Sequence, residues 1–142
     1  MNTYESSQKQ LFSSQEAIYQ KISNLENLQS LWNNVPKEHK DKIKDMTFTH
    51  DTVSFSVSPV GLVTLRIVDA QEPKMVKFGA DNFPIQFNFW VQLVGVSDTD
   101  TRMKLTLKAD IPLMVKPMIG NKLEKGIEQI ADVMAQYINM NR

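Results

Sequence analysis

Few residues in this chain carry chemical potential. His39 lies in the charged run 37–45 and His50 stands beside Asp51; no second histidine follows either at four residues, and the 142 residues contain no cysteine. Zinc sites draw on imidazole and thiolate ligands at such spacings, so no metal site is expected and both histidines are assigned to the surface. Asp98 and Asp100 resemble the start of a calcium loop, but its spaced ligands and closing glutamate are missing, and a turn accounts for the pair. The Gly-x-Ser-x-Gly elbow, the phosphate-binding loop and the Gly-x-Gly-x-x-Gly fingerprint are all absent. For a cyclase- or dehydratase-like enzyme, the polar groups at a cavity's rim would come from Tyr4, Gln8, Gln10 or Tyr137, which would need to point inward. No catalytic residue, metal or cofactor follows from the motifs.

Composition narrows the partners. Sixteen Lys and Arg balance sixteen Asp and Glu, so there is no overall positive field to gather nucleic acid or anionic lipid. The run 37–45 mixes both signs and reads as a solvated connector. Without cysteine there is no disulfide framework, which suits the cytoplasm. The polar start 1–10 is unlike a signal peptide, and no apolar run approaches the length of a membrane span. With 42% hydrophobic residues and no Pro/Gly/Ser-rich linker, residues 1–142 are expected to form one domain.

The elements that must position any site follow from periodicity. Residues 4–12 suit an edge strand. Ser13 with Glu16 and Ser23 with Glu26 spell two capping boxes, and Ile18, Ile22, Leu25, Leu28 and Leu31 keep helical spacing, so two short helices are expected before Pro36. The period then changes to two. Met46 and Phe48, then Val53, Phe55 and Val57, then Val63, Leu65 and Ile67, then Val76 and Phe78 alternate with polar residues, with turns at His50–Asp51, 58–61 and 69–73. The segment 79–82 interrupts the pattern; 85–93 and 103–111 resume it. Short turns between such strands imply antiparallel pairing.

Beyond Pro112, Ile119, Leu123, Ile127, Ile130, Met134 and Ile138 mark one face of a helix. A helix over 118–139 would be about 33 Å long and must cross the domain. Pro117 fits either its first turn or a kink after a preliminary turn at 113–116. Gly126 in its interior costs about 1 kcal/mol against alanine, so close packing is expected there.

The apolar strand positions carry no charge. Covered by the last helix, such a wall can hold an apolar molecule, or its phenylalanines can fill the space as solid core. The wall assigned to a ligand comprises Phe55, Leu65, Phe78, Phe87, Phe89, Val91 and Leu105 from the sheet, with Met114, Met118 and Ile127 from the closing segment. Methionine adapts to varied ligand shapes and also fills ordinary core gaps. Trp90, on the opposite parity between Asn88 and Gln92, either anchors a partner or is covered by a helix edge or loop.

The order of elements, with 12–28 at the opening and 120–127 (Gly-Asn-Lys-Leu-Glu-Lys-Gly-Ile) at the close, resembles the START-like or SRPBCC superfamily. The resemblance implies an α+β helix-grip fold: a curved seven-stranded antiparallel sheet, two short N-terminal helices and one long C-terminal helix across it. It also implies binding of lipids, sterols or other small hydrophobic molecules between sheet and helix, and some relatives are polyketide cyclases. No catalytic motif of those enzymes maps onto this sequence. The expected protein is a cytoplasmic binder of a small hydrophobic molecule, with a cyclase-like enzyme and a protein-interaction module as alternatives.

Overall fold

The computed structural model describes residues 2–35, 37–40, 43–57, 61–81, 83 and 85–140. In chain order these form β1 (Asn2–Glu5), β2 (Lys9–Leu11), α1 (Gln15–Ile22), a 3-10 turn (Leu25–Asn27), α2 (Leu28–Asn33) and α3 (Lys37–Lys40). There follow β3 (Ile43–Phe48), β4 (Thr52–Val57), β5 (Gly61–Gln71), β6 (Met75–Asp81), β7 (Phe87–Ser97), β8 (Asp100–Ala109) and α4 (Lys116–Met140). One antiparallel sheet has the order β1-β8-β7-β6-β5-β4-β3, with β2 also on β8. The meander from β3 to β8 is the expected one, because each strand meets its sequence neighbour through a short turn. The N-terminal segment returns to the free edge of β8, and α4 packs along β8, β2 and β1.

Cross-strand pairing confirms which parity faces the helix. The pairs Val53–Leu65, Ile67–Phe78, Val76–Val91, Phe78–Phe89, Phe89–Leu107 and Val91–Leu105 stand directly opposite one another, so their side chains share the inner face. On the outer face several charges are paired: Arg66 with Asp51 and Asp81, Arg102 with Asp100, Lys104 with Glu5.

The edge departs from expectation. In place of one strand over 4–12 there are two, because Ser6 leaves the ladder. Its Oγ accepts a hydrogen bond from the Leu105 amide at 2.9 Å and its own amide donates to the Leu105 carbonyl at 2.9 Å. The register slips by one: Tyr4 lies opposite Leu107, but Lys9 lies opposite Met103. A one-residue slip exchanges the two faces. A continuous strand would turn Gln8 and Gln10 inward with Tyr4; the slip turns Lys9 and Leu11 inward instead, and Leu11 is fully buried.

Both helix starts fall one residue later than the Ser-x-x-Glu boxes suggest. Ser14 caps α1, its Oγ accepting from the Ala17 amide at 3.2 Å, while the Ser13 carbonyl is taken by the Thr101 hydroxyl at 2.8 Å. Asn24 caps the 3-10 turn by accepting from the Glu26 amide. Part of the run read as a connector is ordered as α3, and β3 begins at Ile43. The turn expected at 58–61 lies outside the described residues up to Gly61, as does the side chain of His39. Residues 79–81 do not break the sheet: β6 runs through Asp81, and Gly79 accommodates the Val68 side chain on the outer face.

The core gathers at one end. Ile18, Ile22 and Leu25 from the N-terminal helical region meet Val76, Leu93, Met103 and Leu105 of the sheet and Ile127, Ala131 and Ile138 of α4. Gly95 permits this approach, since a Cβ there would stand 2.7 Å from Gln15 Oε1, and Gln15 Nε2 donates to the Leu93 carbonyl. A turn at 112–116 leads directly into α4, which places Pro117 in its first turn. Gly126 has nothing within 4 Å of where a Cβ would sit, so the close packing expected there is absent.

Candidate ligand-binding site

Burial along α4 is graded. Its buried residues are Ile127, Ala131, Met134, Ala135 and Ile138, so none lies before Ile127 in a 25-residue helix. Ahead of Ile127, Ile119 and Leu123 are half-buried and the rest of the apolar surface stands in solvent. The sheet beneath repeats this gradient. Val91, Leu93, Met103 and Leu105 are buried, whereas the inner-face residues Phe55, Leu65, Ile67, Phe89 and Leu107 keep accessible surface.

Phe89 is the informative position. It sits on β7 with neighbours on both sides, Phe78 at 5.9 Å between ring centroids and Leu107 across on β8, yet it is only half-buried. A central inner-face aromatic is fully buried when the space above it is filled. Part of the Phe89 ring therefore stays accessible, and the inner parity of β4 to β8 presents no charged side chain among the described residues.

The residues assigned to the ligand wall separate into three groups. Phe78, Val91, Leu105 and Ile127 lie together in the filled core. Leu65 and Phe89 pack on that core with part of each ring or side chain accessible; Phe55 is half-buried on β4, and half-buried Phe87 meets Phe83 edge-on at 5.5 Å. Met114 and Met118 are 90% and 70% exposed at the N-terminal end of α4, beside Leu113 at 84%. They stand in solvent and are not part of the filled core.

Polar groups enter the seam at two points. The first corrects the expectation of an uncharged surface between sheet and helix. Lys9, turned inward by the slip, bonds Asp132 at 2.6 Å and also pairs with Glu128, and its side chain is only 17% exposed. Glu128 accepts in addition from the Ser7 amide at 2.8 Å and the Ser7 hydroxyl at 2.7 Å. The Lys9 bond and the two Ser7 bonds hold the Glu128 carboxyl at about 2, well below its ordinary range. The bonds to Asp132 and Glu128 hold the Lys9 ammonium above its ordinary value. This cluster ties the broken edge strand to α4. Glu128 and Asp132 stand one turn apart in the sequence, but only the slip at Ser6 brings Lys9 to them. A shallow cleft of about 360 Å³ beside it is lined by Glu5 and, from α4, by Asn121, Glu124, Lys125 and Glu128.

The second point is Tyr4. Its hydroxyl oxygen is buried and has no hydrogen-bond partner, and it lies 3.5 Å from where a Gly120 Cβ would be. An orphaned donor of this kind costs about 1–3 kcal/mol. Of the other polar candidates, Gln8 and Gln10 are exposed and Tyr137 is half-buried against the core. Trp90 is half-buried on the outer face, where the ammonium groups of Lys77 and Lys108 lie 5.2 and 5.6 Å from its ring. Among the described residues no group of acidic or histidine side chains is arranged to hold a metal ion, and no helix is long and apolar enough to cross a membrane.

No family profile and no curated protein matches the sequence. Solved structures do match the fold. Norcoclaurine synthase from Thalictrum flavum, with a transition-state analogue, superimposes with a TM-score of 0.76 at 8% identity, covering 99% of this chain and 95% of that one. A START superfamily protein from Mycobacterium smegmatis gives 0.63 at 14% identity over 99% of both chains. A conserved protein from Geobacillus kaustophilus gives 0.66 at 14% identity, covering 97% of this chain and 95% of that one. An open antiparallel sheet whose edge is gripped by one long last helix, shared with these structures over nearly the whole chain, gives this protein the START-like helix-grip fold.

Proposed function

We propose that the protein binds a small, mostly apolar molecule in a groove between the inner sheet face and the part of α4 before Ile127, acting as a cytoplasmic carrier or binding protein built as one domain. The observation that carries this reading is the accessible surface on Phe89 of β7, together with a segment of α4 that has no buried residue before Ile127. The ligand wall is Leu65, Phe89, Phe55 and Phe87, floored by Phe78, Val91, Leu105 and Ile127, with Met114 and Met118 at the rim. Burying such surface is worth roughly 25 cal/mol per Å² of apolar area, enough to hold a ligand without any charge in the wall. Supporting the reading, norcoclaurine synthase from Thalictrum flavum, of like fold, has been solved with dopamine and hydroxybenzaldehyde, two small aromatic molecules.

Native mass spectrometry of protein purified from cells tests this, together with titration of an environment-sensitive apolar dye. A bound mass or saturable dye uptake, weakened in Phe89→Gln and Leu65→Gln, is the expected result. A bare mass with no dye uptake overturns it.

The second reading is a cyclase- or dehydratase-like enzyme. The inward Tyr4 hydroxyl favours it, since it supplies one polar group inside an otherwise apolar seam. Turnover of a polyketone by the intact protein and its loss in Tyr4→Phe would establish that reading.

A further inference from the structure

We infer that Tyr4 is the hydrogen-bonding hook of the groove, so that its ligand is an apolar molecule carrying one accepting oxygen, such as a ketone or ester carbonyl, at the end that lies toward β1. The inference rests on the binding role proposed above and adds the chemistry of the ligand.

Tyr4 belongs to a row that crosses the inner face. It stands opposite Leu107, which stands opposite Phe89, which stands opposite Phe78. Leu107 and Phe89 keep accessible surface, so a molecule lying on them extends along the row toward Tyr4. At that end the wall changes from hydrocarbon to a phenol whose oxygen is shielded from water and bonded to nothing. Buried hydroxyls find partners in nearly all folded proteins, and an exception calls for a group that supplies one. The hydroxyl turns about its carbon–oxygen bond and can aim its proton at an acceptor without moving the ring.

Gly120, which has no side chain, lies beside the oxygen on the stretch of α4 that precedes its first buried residue, Ile127. Because the oxygen is closed off, seating a carbonyl beside it requires the segment around Gly120 to move. The Lys9–Glu128–Asp132 cluster holds the helix further along, and its donors are already engaged, so it does not compete for the carbonyl.

The experiment compares 2-acetylnaphthalene with 2-isopropenylnaphthalene, which have nearly the same shape and differ in whether an oxygen or a methylene group occupies the end. Affinities are measured calorimetrically for the intact protein and for Tyr4→Phe. The intact protein is expected to prefer the ketone, and Tyr4→Phe to lose roughly five- to tenfold of that preference while binding the hydrocarbon unchanged. Tyr4→Phe is also expected to melt no lower than the intact protein. A second readout avoids the substitution: in protein labelled at tyrosine Cζ, the Tyr4 carbon resonance shifts with the ketone and stays in place with the hydrocarbon. Equal preference in both proteins, with no selective shift, overturns the hook and leaves the apolar site standing. Failure of both naphthalenes to bind the intact protein overturns the hook and the binding role together.

Discussion

Lys9 on the edge strand and Asp132 on the last helix are joined at 2.6 Å, and Glu128, one turn earlier on the same helix, takes the same ammonium group. This joint has a pH signature. The Glu128 carboxyl is held at about 2 against an ordinary 4.5 by Lys9 and Ser7, so its contribution to stability is complete above 4.5 and is lost as pH falls toward 2. The Glu128 side chain is 38% exposed, which limits the effect to about 1 kcal/mol or less. Urea unfolding at pH 6 and pH 2.5 should show a smaller acid-induced loss in Glu128→Gln than in the intact protein. Lys9 acts at the other extreme: its raised value contributes below 10.5 and the contribution is lost as pH climbs through the elevated folded value.

The buried and the exposed parts of the closing segment should respond differently to substitution. Ile127 is 3% exposed in the filled core, and Ile127→Ala is expected to cost about 2–4 kcal/mol through lost burial and the cavity left behind. Met114 and Met118 touch little, so Met114→Ser with Met118→Ser should change stability by no more than about 0.5 kcal/mol. The same double variant should reduce apolar dye uptake if these methionines form the rim of the site. Chemical denaturation and dye titration on one set of proteins check both statements.

The fold was legible because its alternation is nearly unbroken. From Phe87 to Leu93 and from Met103 to Ala109 every odd residue faces the helix, as the period of two requires. The last helix was legible from the spacing of Ile127, Met134 and Ile138, all of which are buried. The edge was not, because Ser6, Ser7 and Gln8 carry no period at all. What fixes the slip there is a long-range bond from the Leu105 amide to Ser6 Oγ, ninety-nine residues away in sequence. With the slip hidden, an unbroken strand would place Lys9 outward and Gln10 inward. The caps failed for a related reason: Ser13 and Ser14 are equally good caps locally, and the tertiary bond from Thr101 to the Ser13 carbonyl accompanies Ser14 in that role. The graded burial of α4 was also invisible, since Leu123 and Ile127 repeat the same spacing and differ only in what lies across from them.

Gly126 offers a direct gain. It lies in the interior of α4 with open space where a Cβ would go, so nothing offsets the entropy that glycine loses on entering a helix. Gly126→Ala should raise stability by about 0.5–1 kcal/mol, measured by thermal unfolding. Destabilisation would mean that the helix needs a pliable joint just before its first buried residue.

Trp90 separates a binding protein from an interaction module. On the outer face it stands opposite Lys77 of β6, and Lys108 reaches it from β8. Each ammonium group over an indole contributes about 0.5–1 kcal/mol at exposed sites, which makes this cluster a brace across three strands. The double variant Lys77→Gln with Lys108→Gln should therefore lower stability by about 1 kcal/mol and alter Trp90 fluorescence, read in a Trp32→Phe background so that one indole reports. Ligand binding on the inner face should be unaffected, since the pleat sends these side chains away from it. If the double variant leaves stability unchanged yet abolishes self-association or capture of a defined partner, the lysines and Trp90 are an interface, and the outer face carries a function of its own.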